Sequence, residues 1–172
     1  SVPSSYDYTD ATKDAVRTDV SDSLGGELVD GLALRDSFMI YAKQAVFRMD
    51  YTGGAFVYRF SKVLGASGVL NKNCIVEIPG GYHCVFGADD VYVHDGTSPL
   101  SILDKQTRRF LFASLDVDYA HRAFVFKNPW LNSVYICYPS AGNTTCNRAL
   151  VYNYVDKTCG FQELPSLLHA MN

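Results

Sequence analysis

The chain has 172 residues, of which 48% are hydrophobic and 19% charged, a composition typical of a folded globular domain rather than a disordered segment. The formal net charge of −3 argues against a general nucleic-acid binder, because such proteins usually carry a basic excess. No apolar run approaches the roughly 20 residues that a membrane-spanning helix needs, so the sequence predicts no membrane-spanning segment.

The first part of the chain changes character near Glu27. Residues 1–26 are polar and rich in Asp, Ser and Thr, which predicts a surface arm or loop. From Glu27 onward, hydrophobic and polar residues alternate with the period of two that is typical of strands. Strands are predicted at 38–41, 45–49 and 55–60, and the DYTGG stretch forms the turn between the last two.

The next block repeats this layout. Strands are predicted at 74–78, 82–86, 91–94 and 97–102, with Pro-Gly-Gly closing the first hairpin. Asp95-Gly96 lies between the last two strands and is a strong hairpin signal, since these residues readily adopt the left-handed backbone of a tight turn. A hairpin is therefore the simplest interpretation of ADDVYVHDGTSPLSI.

The segment 103–115 interrupts the pattern of strands. Its apolar residues Leu103, Phe110, Leu111 and Leu115 suit one face of a helix. Asp104 stands where a negative charge favours the start of a helix. One short helix is therefore predicted near 103–115.

Strands resume after this helix. They are predicted at 119–126, 134–138, 149–155 and 160–164, followed by a short, partly helical tail at 166–172. The turn residues Asp50, Asp95 and Asp156 each precede a final return strand. Repeated units of four short antiparallel strands, about 40 to 50 residues long, are typical of β-propeller blades. The sequence therefore predicts an all-β fold in which residues 27–165 form about three antiparallel four-stranded blades. A β-sandwich built from a meander is the alternative.

The number of blades bears on completeness. Propellers close with at least four blades. Three open blades would leave sheet edges and faces uncovered, which favours association. We therefore expect an incomplete propeller that belongs to a larger protein or is completed by other chain segments.

Two groups of side chains resemble metal sites. Asp89, Asp90, His94 and Asp95 are oxygen-rich, but they lack the spacing of a calcium loop, and the alternation of a strand separates them. Cys74, His83, Cys84 and His94 include zinc-ligand types, but the adjacent His83 and Cys84 point to opposite faces of a strand. The sequence therefore predicts no metal site.

Nothing in the sequence selects a catalytic or cofactor site. Ser114, Asp116, Asp118 and His121 contain the residue types of a hydrolytic triad, but no elbow or glycine-rich motif accompanies them. A pair of acids from separate blades, as in propeller glycosidases, stays open as an alternative. The only basic cluster, Lys105, Arg108 and Arg109, suits a solvated or inter-subunit helix face. We therefore predict no catalytic residue and no cofactor.

The cysteines favour free thiols. The chain contains five of them, an odd number, with no Cys-x-x-Cys pair. Buried free thiols in a reducing compartment are the prediction, and a Cys137–Cys146 bridge across a loop is the alternative.

Several stretches together resemble a known family. They are GGELVDGLALRDSFMIYAKQAVFRMDYTGGAFVYRF, the stretch from GVLNKNCIVEIPGG through DVYVHDGTSPLSI to the following helix, and the closing VYNYVDKTCGFQELP. This region, about 25–165, looks like the β-propeller region of tail tubular (nozzle) or tail-hub virion proteins of short-tailed bacteriophages. Cys159 stands where the family pattern would have a tryptophan.

The resemblance implies a structural role and not an enzymatic one. Such proteins form an oligomeric ring, usually hexameric, below the portal and adaptor of the phage tail. The ring surrounds the DNA during ejection and offers outer surfaces to tail fibres. The implied location is the virion, after assembly in the host cytoplasm, and no catalytic residues come with the family. The alternative function is a propeller that binds or acts on carbohydrate, with Tyr51, Tyr58 and Trp130 as stacking platforms.

Overall fold

The computed structural model describes residues 25–53 and 58–167. Within these residues, twelve strands form three antiparallel sheets of four strands each, and one α-helix joins the second sheet to the third. The prediction of an all-β fold with four-stranded antiparallel units and one short helix is confirmed at this level. The three sheets do not close into a ring.

Each sheet is a meander in which consecutive strands are hydrogen-bonded neighbours. Sheet 1 contains β1 (Leu28–Leu34), β2 (Ser37–Ala42), β3 (Ala45–Tyr51) and β4 (Tyr58–Gly65). Sheet 2 contains β5 (Ile75–Ile78), β6 (Tyr82–Phe86), β7 (Val91–His94) and β8 (Pro99–Ser101). Sheet 3 contains β9 (Phe124–Asn128), β10 (Ser133–Tyr138), β11 (Cys146–Asn153) and β12 (Thr158–Leu167).

Sheet 2 lies between the other two. On one of its faces, His83 and His94 contact Tyr41 of sheet 1. Toward sheet 3, Val93 of sheet 2 and Tyr152 of sheet 3 line one shared pocket. All four residues of β7 are buried, because both faces of this sheet are covered. The main hydrophobic core accordingly includes residues from all three sheets.

The helix α1 (Lys105–Ser114) begins where the sequence predicted a favourable charge. The Asp104 carboxylate accepts hydrogen bonds from the backbone N–H groups of Gln106 and Thr107, both at 2.8 Å, so Asp104 is the N-cap. Leu111 is fully buried against the core. Phe110, which the sequence assigned to the same face, instead points outward and is 48% exposed. The helix therefore covers the core with a narrower face than predicted.

The first strand of sheet 1 was not predicted, and its centre carries an Asp-Gly pair, which is common in turns. In the structure both residues pair regularly with β2, directly after a register shift between Leu28 and Asp30. The Asp30 carboxylate accepts a hydrogen bond from the Gly31 N–H at 2.8 Å, and a Cβ at residue 31 would come within 2.6 Å of the Phe38 ring. The glycine here permits close packing against β2 and not a chain reversal.

The predicted strand at 119–126 is wrong in its first half. The backbone N–H groups of Asp118 and Tyr119 donate to the Asp116 carboxylate, which holds this part of the chain in a bend. A short 3-10 helix, Ala120–Arg122, follows, and the strand begins only at Phe124. The return strand predicted at 97–102 is likewise shorter, Pro99–Ser101, because residues 95–98 form the turn.

The three turn aspartates play different roles. Asp95 accepts hydrogen bonds from the backbone N–H and hydroxyl of Thr97, so it organises its turn as predicted. Asp50 lies inside β3, where its carboxylate accepts from the Ser37 hydroxyl at 2.6 Å. In the third hairpin the Asn153 side chain caps the turn that contains Asp156. The sequence therefore predicted where each hairpin lies more accurately than which side chain stabilises its turn.

Three sequence predictions extend beyond the residues that the structure describes. The predicted arm at 1–26 lies outside them except for residues 25 and 26. The start of the strand predicted at 55–60 also lies outside them, since β4 is described from Tyr58. At the other end, β12 continues to Leu167, three residues beyond the strand predicted at 160–164. The predicted partly helical tail is therefore strand at 166 and 167, and its remainder at 168–172 lies outside the described residues.

Candidate functional site

Three polar side chains are buried together between sheets 1 and 2. Tyr41 lies on β2, His83 on β6, and His94 ends β7 directly opposite His83 in the strand register. All three are almost completely inaccessible to water. Buried polar groups are costly unless hydrogen-bonded, so their partners decide what this cluster does.

The hydrogen bonds of the cluster run in one direction. The Gly96 N–H donates to His94 Nδ1 at 3.1 Å, so a neutral His94 carries its proton on Nε2 and donates to the Tyr41 hydroxyl at 2.7 Å. That hydroxyl donates to His83 Nδ1 at 2.6 Å. His83 Nε2–H then donates to the Ala33 carbonyl oxygen on β1 at 2.9 Å. Each donor has one acceptor, and this series of hydrogen bonds links sheet 2 to sheet 1 at two points, Tyr41 and Ala33.

The electrostatics agree with neutral rings. Burial, assisted by the neighbouring His83, lowers the pKa of His94 to about 4. Burial also lowers the pKa of His83, and it raises the pKa of the Tyr41 hydroxyl above its usual range. At neutral pH the cluster therefore carries no charge. The cluster can hold sheet 1 in position against sheet 2, and its histidines can take up protons at acidic pH.

A second junction joins the first strands of all three sheets. The Asn73 N–H donates to the Asp30 carboxylate of β1 at 3.2 Å. The carbonyl oxygen of the same residue accepts from the Val125 N–H of β9 at 2.8 Å. Since Asn73 lies two residues before the start of β5, strands β1, β5 and β9 converge on this segment, while β4, β8 and β12 lie at the opposite edges of their sheets.

The oxygen-rich group predicted not to bind metal is dispersed. The Asp90 carboxylate accepts from the Ser101 hydroxyl at 2.9 Å and from the Arg108 guanidinium at 3.0 Å, which ties the helix to sheet 2. Asp95 bonds within its own turn. His94 is committed to Tyr41 and Gly96. Among the described residues, no group of three or more His, Cys, Asp or Glu side chains is placed to hold a metal ion.

The zinc-type residues are also separated. Cys74 is buried, and its thiol donates to the Ala123 carbonyl oxygen at 3.4 Å. Cys84 is buried on β6, one residue from His83 and therefore on the opposite face. Burial raises the pKa of both thiols to about 12, which disfavours the thiolate that metal binding requires.

The hydrolytic residue types do not assemble. His121 Nδ1 lies 3.1 Å from the backbone carbonyl oxygen of Asp118, and the Asp116 carboxylate accepts from backbone N–H groups. The Ser114 hydroxyl donates to the Leu111 carbonyl oxygen at 3.0 Å. The basic cluster divides in a similar way, since Arg108 binds Asp90 while Lys105 and Arg109 stay exposed.

The remaining candidates from the sequence are the cysteines and the exposed aromatic residues. Cys137 and Cys146 share one buried apolar cluster but remain free thiols. The Tyr51 and Tyr58 rings stand edge to face, 5.9 Å apart, at the turn end of β3 and β4. Trp130 projects from the β9–β10 connection and is 92% exposed.

Sequence reasoning missed the role of Tyr41. The alternation of β6 and β7 placed His83 and His94 on strands, but no local signal names a partner on another sheet. The signal that could have found it is the chemical mismatch of two histidines within otherwise apolar strands, since buried polar groups need partners. No protein-family model and no curated protein matches this chain. In the described residues no helix is long and apolar enough to cross a membrane.

Proposed function

We propose that the chain is a structural component of the tail of a short-tailed bacteriophage, where it contributes blades to the β-propeller region of a nozzle or hub ring. The observation that carries the propeller part of the proposal is the convergence of β1, β5 and β9 near Asn73. In a propeller, four-stranded blades radiate from a central axis. Three consecutive meanders whose first strands meet, and whose last strands lie outward, support that arrangement.

The blade interpretation also accounts for the packing of sheet 2. A blade inside a propeller is covered on both faces by its neighbours, as β7 is here. The flanking sheets each contribute a second buried apolar cluster, around Phe47 in sheet 1 and around Cys137 in sheet 3. Further blades, from other segments or other subunits, would extend the row and complete the propeller.

The tail function rests on the resemblance of the three sequence stretches to phage nozzle and hub proteins. In this role the chain forms part of an oligomeric ring, usually hexameric, that contacts the portal or adaptor and the tail fibres. The net charge of −3 suits a channel through which DNA slides, because a strongly basic wall would hold the phosphate backbone. The role assigns the chain no catalytic step, no cofactor and no metal, and places it in the virion.

Labelling of particles tests this function. Antibodies raised against the purified chain are applied to intact particles released from cells that carry the gene, and are detected with gold in the electron microscope. We expect label at the tail and none on the capsid. Particles that carry intact tails and eject DNA, yet lack peptides of this chain in mass spectrometry, would contradict the proposal.

One observation favours a second function, the binding of carbohydrate. Tyr51 and Trp130 are 71% and 92% exposed, and exposed aromatic rings can stack on sugars. A glycan-binding measurement with the purified chain distinguishes the two functions. Binding that is lost in both Tyr51→Ala and Trp130→Ala would favour the carbohydrate function over the tail ring.

A further inference from the structure

An apolar groove lies on the outer side of the molecule, between the helix α1 and the edge strand β12. Its volume is about 530 Å³, and Phe110 and Phe161 form its aromatic part. Their rings stand edge to face at 4.7 Å, yet they remain 48% and 39% exposed. Two large apolar rings in one concave surface are typical of a protein-binding site. The remaining lining residues are Gln106, Thr107, Arg109 and Ala113.

The groove combines these rings with positive charge. The Arg148 guanidinium lies 5.7 Å from the centre of the Phe110 ring, and its charge is offset by Glu163 at 3.7 Å. Arg109 is exposed on the groove wall. A guanidinium beside an apolar pocket favours an aromatic occupant, because the π face attracts the cation.

The same chain presents an anchor of that chemistry. Trp130, its single tryptophan, is 92% exposed on the short 3-10 helix Pro129–Leu131, and Leu131 beside it is 57% exposed. The turn is held in place because the Asn128 side chain accepts from the Trp130 N–H at 3.1 Å and the Ser133 hydroxyl donates to the Leu131 carbonyl oxygen at 2.8 Å. A preorganised anchor loses little entropy on binding.

We propose that Trp130 and Leu131 of one copy dock into the α1–β12 groove of a second copy of the chain. The inference rests on the proposed function, since it names the contact through which copies associate in the ring. The second copy is the occupant because the chain carries both halves of the contact, an aromatic anchor and a groove with a cation on its wall. Trp130 does not fill the groove of its own chain, as its exposure shows. A contact between two different patches can propagate from copy to copy, and it closes into a ring when the rotation allows.

The single tryptophan reports directly on this contact. The full chain is purified, and light scattering after gel filtration gives its mass over a range of concentrations. Tryptophan emission and quenching by iodide are measured on the same samples. We expect the emission of the oligomer to shift to shorter wavelength and iodide quenching to fall severalfold relative to the diluted monomer, because docking removes the indole from water.

A matched pair of variants tests the groove. Ala113→Glu places a charge in the groove at an exposed helix position, and we expect it to keep the emission at long wavelength and to abolish the oligomer. Ala88→Glu makes the same substitution at an exposed site outside the groove and should behave as the unmodified chain. In Trp130→Ala, self-association should weaken about 30-fold, the change expected for a tryptophan that dominates an interface. Circular dichroism checks that each variant folds.

The possible failures are distinguishable. An oligomer in which Trp130 stays accessible to iodide would overturn this contact while leaving the ring proposal standing. A chain that stays monomeric at every concentration would overturn the contact and remove the self-association on which it rests. A change in emission caused by added oligosaccharides, but not by concentration, would assign Trp130 to sugar binding and would also overturn the contact.

Discussion

Replacing Tyr41 by phenylalanine removes the central hydroxyl of the buried cluster and keeps the ring that packs between the sheets. His83 Nδ1 then loses its donor, and His94 Nε2–H loses its acceptor, at sites where the unmodified chain has hydrogen bonds of 2.6 and 2.7 Å. Neither histidine is accessible to water, which could otherwise replace the hydroxyl.

The expected loss follows from these two groups. A buried polar group left without its partner costs about 1–3 kcal/mol, and phenylalanine recovers part of this by avoiding the desolvation of the hydroxyl. We therefore expect Tyr41→Phe to lower the free energy of unfolding by about 3 kcal/mol. Tyr92→Phe is the matched control, because Tyr92 is also buried and its hydroxyl donates to the Gly68 carbonyl oxygen at 3.1 Å, with no second hydrogen-bond partner among the described residues. Its loss should be about 1 kcal/mol.

Urea unfolding at pH 7.5, followed by circular dichroism, measures both variants. A similar slope with denaturant shows that the exposed surface on unfolding is unchanged, so that the midpoints can be compared. If Tyr41→Phe costs no more than Tyr92→Phe, the one-directional hydrogen-bond chain does not hold sheets 1 and 2 together, and the reasoning fails.

Four further predictions concern pH, capping and packing. The pKa of His94 is about 4 in the folded chain and 6.5 in a free histidine, so the unfolded chain binds more protons between these pH values. Stability should therefore fall by up to about 3 kcal/mol as the pH drops from 6.5 to 4. Urea midpoints across this range measure the slope, and an unchanged slope in His94→Asn would contradict its assignment. Asp104→Ala should cost about 1 kcal/mol through loss of the cap, with Asp104→Asn retaining most of the stability, and equal losses in the two would argue against capping. Gly68→Ala should prevent stable folding, because its Cβ would lie 2.1 Å from the Lys43 carbonyl oxygen, whereas Gly160→Ala, with nothing within 4 Å, should melt close to the unmodified chain. Leu111→Ala should lower the free energy of unfolding by about 3 kcal/mol in urea titrations, and a loss below 1 kcal/mol would mean that α1 does not cover the core.

The positions of strands β6 and β7, the faces of their residues and the start of the helix were predicted correctly, because they depend on residues close together in the chain. Alternation located β6 and β7 with the observed bounds, and it correctly separated His83 from Cys84. The N-terminal position of Asp104 followed from the preference of helix starts for negative charge. These features depend on neighbours in the chain, which the sequence shows directly.

What depends on distant partners was missed. The Asp30-Gly31 pair is common in turns, yet it lies within β1, where Gly31 packs closely on Phe38 and the Asp30 carboxylate accepts from the Asn73 N–H. Tyr41 is 42 residues from His83 in the chain, so no local pattern joins them. Phe110 follows the helical period of an apolar face, yet it stays 48% exposed and packs edge to face at the side of β12, on Phe161.

An electron cryomicroscopy reconstruction of the intact tail, from particles whose genome encodes this chain, tests the central claim most directly. The account predicts density for the three sheets in successive order around a propeller axis, repeated by the symmetry of a ring that surrounds the DNA channel. A complete tail reconstruction at side-chain resolution in which no density fits these sheets would contradict it.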